Sequence, residues 1–216
     1  MNYKDNPFGD FFLFGGIKMF DIQRFTSINE VRVGTTNFEV YEDGTRYLGI
    51  ATVTLPEWTL KTIDVNGAGI AGEMSIGVAG QFENAEITIK FREVSNRFVG
   101  LSAYRAHNLT FRSAQHLYNA AKGKIRQEPL KIMVRSIPSK FNFGNLEQAA
   151  ETESEATLAI DYIKIWVDGT EQFEFDRFNH IWRVRDGKKM VDYLAGVRKA
   201  TGLTTSAVGQ WQDKTV

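Results

Sequence analysis

The chain has 216 residues, 43% apolar and 24% charged, with no cysteine and 26 basic against 26 acidic residues for a formal charge of zero. Such a chain can fold as one globular domain that buries about 70% of its unfolded surface, although two small domains would also fit. A disulfide framework, thiol chemistry and a thiolate zinc site are excluded, and no broad attraction to nucleic acid or anionic membrane is encoded.

The first twenty residues, MNYKDNPFGDFFLFGGIKMF, hold an apolar patch at Phe11 to Phe14 between Asp5 and Asp10 on one side and Gly15, Gly16 and Lys18 on the other. The patch is too short for a signal sequence or a membrane span, so it predicts a flexible or docking arm. Met19 leaves a shorter natural start open. No other stretch approaches 18 uninterrupted apolar residues, which predicts a soluble protein without a membrane anchor.

YLGIATVTLP alternates, with Ile50, Thr52 and Thr54 on one face and Ala51, Val53 and Leu55 on the other, and predicts a strand. After TLKTIDV comes NGAGIAGE, Asn66 to Glu73, which fits the G-x-G-x-x-G spacing of dinucleotide-binding loops. That chemistry needs a helix next, with its N-terminus on the pyrophosphate, and an acid at the end of a second strand. Instead, Gly77 and Gly80 fall where the helix would run, each costing about 1 kcal/mol relative to alanine. Glu86 begins the strand EITIKF instead of ending one, and long crossover helices are missing. The spacing therefore stands without its context.

EITIKF puts Ile87, Ile89 and Phe91 inward and Thr88, Lys90 and Arg92 outward, while REVSNRFVGLSAY spaces Val94, Phe98 and Leu101 for a helix. The stretch from His107 to Ser136 keeps alternation through Leu109, Phe111, Ser113, Gln115 and Leu117. It predicts two long strands joined near Lys122 to Lys124, with a helix at SAQHLYNAAK as the alternative. DYIKIWVDG and EQFEFDRF form a hairpin around Asp168-Gly169, with Ile163, Ile165 and Val167 facing one way and Phe173 and Phe175 aligned on the other arm. MVDYLAGVRKATGL predicts a last helix carrying Leu194 and Arg198 and ending at Gly202. The fold class is mainly β: an antiparallel β-sandwich or barrel with one or two short helices.

Charge is unevenly spread: Glu147 to Asp176 holds nine acidic residues and one basic, Arg177 to Lys199 seven basic and two acidic. Two solvated faces account for this, or opposite patches meeting head to tail in an oligomer. His107, His116 and His180 lack H-E-x-x-H spacing, and neither a G-x-S-x-G elbow nor a Walker sequence occurs. ETESEA reads as a solvated loop. No catalytic, cofactor or metal site is expected. Trp58, Trp166 and Trp182 are expected to pack in core or interface, the alternative being the rim of a ligand pocket in a stand-alone binding module.

Taken in order, the V-T-L-P strand with its G-A-G-x-x-G loop, the Y-x-K-x-x-x-D-G-x-E hairpin ending at Asp176 and Asn179, and V-D-Y-L-A-x-V-R-x-x-x-G-L resemble one family over Asn37 to Leu203. It is the major tail tube protein family of contractile-tailed phages, which includes R-type bacteriocin tubes. The residues up to about Phe25 and the tail TTSAVGQWQDKTV depart from its pattern, which divides the chain into an extension (1–30), a tube domain (31–203) and a C-terminal tail (204–216).

The resemblance implies a non-enzymatic virion subunit, assembled in the bacterial host cytoplasm into stacked hexameric rings. Its implied partners are further copies of itself and sheath, tape-measure, baseplate and tail-terminator proteins, with DNA only as a transient passenger. Near-zero charge suits a conduit that must let DNA slide. A type VI secretion-like tube is the alternative within this class, and a nucleotide-binding oxidoreductase the alternative outside it. On this reading, Glu57 to Glu83 is a glycine-dotted contact loop, with Gly67, Ala68, Gly69, Ile70, Gly72 and Glu73 as subunit contacts. The acidic loop with Glu151, Glu153 and Glu155 would face the lumen or the next ring.

Overall fold

Alternating β-branched and aromatic residues drive most of the chain into strands, which a computed structural model arranges in two sheets. It describes residues 30–49, 52–67 and 71–202. The Phe11 to Phe14 arm, Ile50, Ala51, Ala68, Gly69, Ile70 and the C-terminal tail lie outside the described residues.

The strands are β1 (Glu30–Glu42), β2 (Arg46–Tyr47), β3 (Thr52–Thr54), β4 (Leu60–Val65), β5 (Met74–Phe82), β6 (Glu86–Phe91), β7 (His107–Asn119), β8 (Lys124–Asn142), β9 (Ser154–Val167), β10 (Thr170–Asp176), β11 (Ile181–Asp186) and β12 (Lys189–Asp192). Two short helices, α1 (Asn96–Leu101) and α2 (Ala195–Ala200), complete the described fold. The main sheet runs β12-β11-β10-β9-β8-β7-β1-β2, with β6 joined to β9 and β3 to β6. Every strand pairing is antiparallel.

The sheet branches at β9. Along one edge β9 follows β8 throughout; along the other, Ser154 to Ala159 pair with β6 and Tyr162 to Val167 with β10. The register with β8 slips where the branches part, between Arg135↔Tyr162 and Ser136↔Ile160, leaving Asp161 as a bulge. Arg135 Nε donates to both Asp161 carboxylate oxygens, at 3.1 and 2.9 Å, which secures that point.

The core lies on one face of this branched sheet. Ile87, Ile89 and Phe91 of β6 are all buried, as their alternation predicts, together with Leu109, Phe111, Val134, Leu158, Ile163 and Phe175. Helix α1, capped by Ser95 Oγ on the Phe98 amide at 3.2 Å, adds the buried Phe98 and Leu101 to the same cluster. The stretch from His107 to Ser136 forms the two long strands and not the helix, in unbroken register from His107↔Ser136 to Asn119↔Lys124. YLGIATVTLP is shared between partners: Tyr47 pairs with β1, and Thr52 to Thr54 with β6.

The stretch Glu57 to Glu83, expected to be a loop, is a hairpin instead. β4 and β5 form a separate two-stranded sheet, Leu60↔Phe82 at its base and Val65↔Met74 at its far end. An aromatic cluster anchors that base: Trp58 lies 4.9 Å from Phe175 and 5.5 Å from Phe82, and Phe82 lies 5.1 Å from Trp182, all edge-on.

Candidate functional site

Two of the fingerprint glycines can be placed. Gly67 and Gly72 flank the tip of the β4–β5 hairpin with φ of +151° and +106°, and a Cβ at either would meet nothing within 4 Å. Backbone torsion, not close approach within the subunit, therefore asks for glycine at Gly72. Glu73, beside it, is exposed. The residues after the loop, Met74 to Phe82, form a strand, so there is no helix N-terminus to hold a pyrophosphate. The dinucleotide reading fails on that geometry.

The hairpin has a feature the glycines only hint at. Ile63 pairs with Ile76 and Val65 with Met74. Pairs two residues apart share a face, so these four side chains form one apolar surface, with Ile63 59%, Met74 53% and Ile76 45% exposed. The other face is polar, where Ser75 Oγ donates to Asp64 Oδ1 at 2.5 Å.

The acidic stretch is not a single loop. Glu155 is the second residue of β9, opposite Lys90, with a 3.6 Å ion pair. Glu151 lies 3.6 Å from Arg92, and Glu153 stands exposed at a φ of +52°. Two of the three carboxylates therefore meet cations, Lys90 of β6 and Arg92 just after it, which weakens a uniformly acidic surface.

The two charge blocks meet where Glu174 of β10 pairs with Arg183 of β11 at 3.0 Å. Other pairs form within each block: Lys164 with Glu171 at 2.9 Å, and Asp192 with Arg198 at 2.6 Å and Arg183 at 3.3 Å. Burial pushes the Asp192 carboxyl up, but bonds from Arg198, the Leu194 amide and Arg183 hold it below the usual carboxylate range. Burial, followed by the charge of Glu174 and its hydrogen bond, raises Tyr162 far above the ordinary phenol.

Asp176 and Asn179 have a structural task. Asp176 Oδ1 accepts from the Phe178 and Asn179 amides at 3.0 and 2.9 Å, and Oδ2 accepts from Asn179 Nδ2 at 2.7 Å, which fixes the β10–β11 turn. Trp58 and Trp182 pack against the core, whereas Trp166 lies under Lys131 and Lys164, each 5.2 Å from its ring.

His107 is fully buried, with Nδ1 2.7 Å from Glu42 Oε1 and Nε2 3.0 Å from the Ala103 carbonyl oxygen. Sequence reasoning missed Glu42 as its partner, because 65 residues separate the two and no local pattern links them. Among the described residues no group of three or more His, Asp or Glu is arranged to hold a metal ion, and no helix is long and apolar enough to cross a membrane.

Known proteins place this architecture. The chain is 26% identical over 167 residues to the major tail tube protein of Serratia phage KSP20, covering 77% of this chain and 94% of that protein. It is equally 26% identical over 167 residues to the tail tube protein of Escherichia phage P2, covering 76% and 94%. Among solved structures, the sheath/tube terminator of an extracellular contractile injection system aligns over 63% of this chain and 96% of its own, at 15% identity and a TM-score of 0.44. The sheath–tube complex of that system aligns over 60% and 88%, at 17% identity and a TM-score of 0.42. Residues 35–202 match the family described as phage tail tube protein FII, and the chain belongs to that family.

Proposed function

We propose that this tail tube protein works by self-association alone, as the subunit of stacked hexameric rings that form the inner tube of a contractile tail. The tube conducts DNA as a passenger and is driven through the target envelope when the sheath contracts. Its partners are sheath, tape-measure, baseplate and tail-terminator proteins, its place is the virion, and its assembly takes place in the host cytoplasm. Residues 31–203 act as the tube domain between an extension and a tail.

The apolar face of the β4–β5 hairpin carries this reading. Ile63, Met74 and Ile76 are exposed on a two-stranded sheet that stands apart from the main one. An isolated hairpin is marginal in water, and an uncovered apolar face of this kind suits a protein contact. β12 and β2 end the main path of the large sheet, leaving edges that a neighbouring copy can pair. A head-to-tail contact whose rotation closes makes a ring, and a second, axial contact propagates a tube. The hairpin, with Gly67, Gly72 and Glu73 beside its tip, supplies the second contact.

Negative-stain electron microscopy of the purified protein tests this. Rings or tubes of uniform diameter are expected from the wild type, while Ile63→Lys with Ile76→Glu, an opposite-charge cross-strand pair, should abolish them and leave the subunit folded, as exposed substitutions do. A wild type that stays monomeric under all assembly conditions would count against the proposal, as would normal tubes from the double variant.

A further inference from the structure

A second apolar surface lies at the end of β1, β7 and β8, where these strands run beyond the core. Val31 is paired with Tyr118, and Tyr118 with Ile125. Directly paired residues share a face, so the three side chains form a row across three strands, 53%, 40% and 63% exposed. The bulged Val33 beside them is 65% exposed. The opposite face of the same tip is engaged: Glu128 is 2.9 Å from Arg32 and 3.4 Å from Arg126, and Arg126 is 3.1 Å from Asp168.

We propose that the upstream segment Phe11 to Phe25 of the same chain covers this row. The segment carries Phe11, Phe12, Phe14, Phe20, Ile22 and Phe25. It joins the fold at Glu30, one residue before the row begins. Phe25 is six residues from Val31, a reach of at most about 21 Å. A tether that short gives an effective concentration on the order of millimolar, which favours the chain's own segment over a second copy. The family match begins at residue 35, so Val31, Val33 and the segment all precede it. Tyr118 and Ile125 lie within the family match and only the β1 part of the row precedes it; the inference does not rest on tube formation.

The test uses the full-length, unassembled chain, which contains no cysteine, so that introduced thiols report without background. Ile22→Cys with Ile125→Cys, oxidised at low protein concentration, should give a disulfide within one monomer. Crosslinks solely between chains would overturn the proposal in favour of a second copy. In parallel, Phe11→Ser, Phe14→Ser and Phe20→Ser together should speed amide exchange from Tyr118 to Ile125 about tenfold, because local opening sets that rate. Equal rates in wild type and variant would overturn it independently.

Discussion

Replacing Glu42 with alanine removes a fully buried carboxylate around which separate parts of the fold are arranged. Its Oε1 accepts from Arg105 at 2.8 Å and lies 2.7 Å from His107 Nδ1, and its Oε2 accepts from Arg46 at 3.3 Å. Removing one partner of a buried pair costs about 3–5 kcal/mol, because the remaining polar group is left without a partner or water. Arg46 and Arg105 are each 49% exposed and can turn to solvent, so the loss falls on His107 and lies at the lower end, about 3 kcal/mol. For a chain of this size that lowers Tm by about 6–12 °C. Glu42→Gln keeps an acceptor beside His107 and should lose only about half as much. Urea unfolding and thermal melts of the unassembled subunit measure both. A loss below about 1 kcal/mol for Glu42→Ala would refute the reasoning, since it would mean that no desolvated polar group had been stranded.

Gly80 in β5 has a φ of +76°, and a Cβ there would fall 2.5 Å from Leu194 Cδ2. Gly80→Ala should therefore destabilise by about 1–3 kcal/mol, and its cost should shrink when measured in a Leu194→Ala background; a neutral melt would contradict the close approach. Asp192, held below its ordinary range, adds stability above its unfolded value of about 4 and loses it as pH falls through the lower folded value. Asp192→Asn should flatten this acid limb, and identical acid-unfolding curves would count against the Arg198 and Arg183 bonds as its cause. Gly69→Val, in the sequence between β4 and β5, should block tube assembly while leaving the subunit folded by circular dichroism; normal tubes would reduce the loop to a connector.

Much of the sheet was legible because alternation is a local property. Ile87, Ile89 and Phe91 could be assigned inward from six residues, and Asp168-Gly169 marked its hairpin without help from distant contacts. β1 escaped notice because bulges between Arg32 and Gly34 and between Thr35 and Asn37 break its period. The candidate contact surface was half visible. Glycines at Gly67 and Gly72 signalled a contact loop, but the apolar face formed by Ile63, Val65, Met74 and Ile76 depends on strand register, since a one-residue slip would send those side chains to the other face.

Sequence alone settled the chemistry to discard and the class of fold: no cysteine for thiolates, no helix behind G-A-G-I-A-G, and period-two patterning along most of the chain. Only the tertiary structure decided where charges and faces meet. Acidic and basic blocks that look like separate patches along the chain touch where Glu174 of β10 pairs with Arg183 of β11. Glu42 finds His107 across 65 residues. The physical reason is the same in each case: alternation and turn chemistry act between neighbours in sequence, whereas ion pairing, burial and a shared sheet face act between neighbours in space.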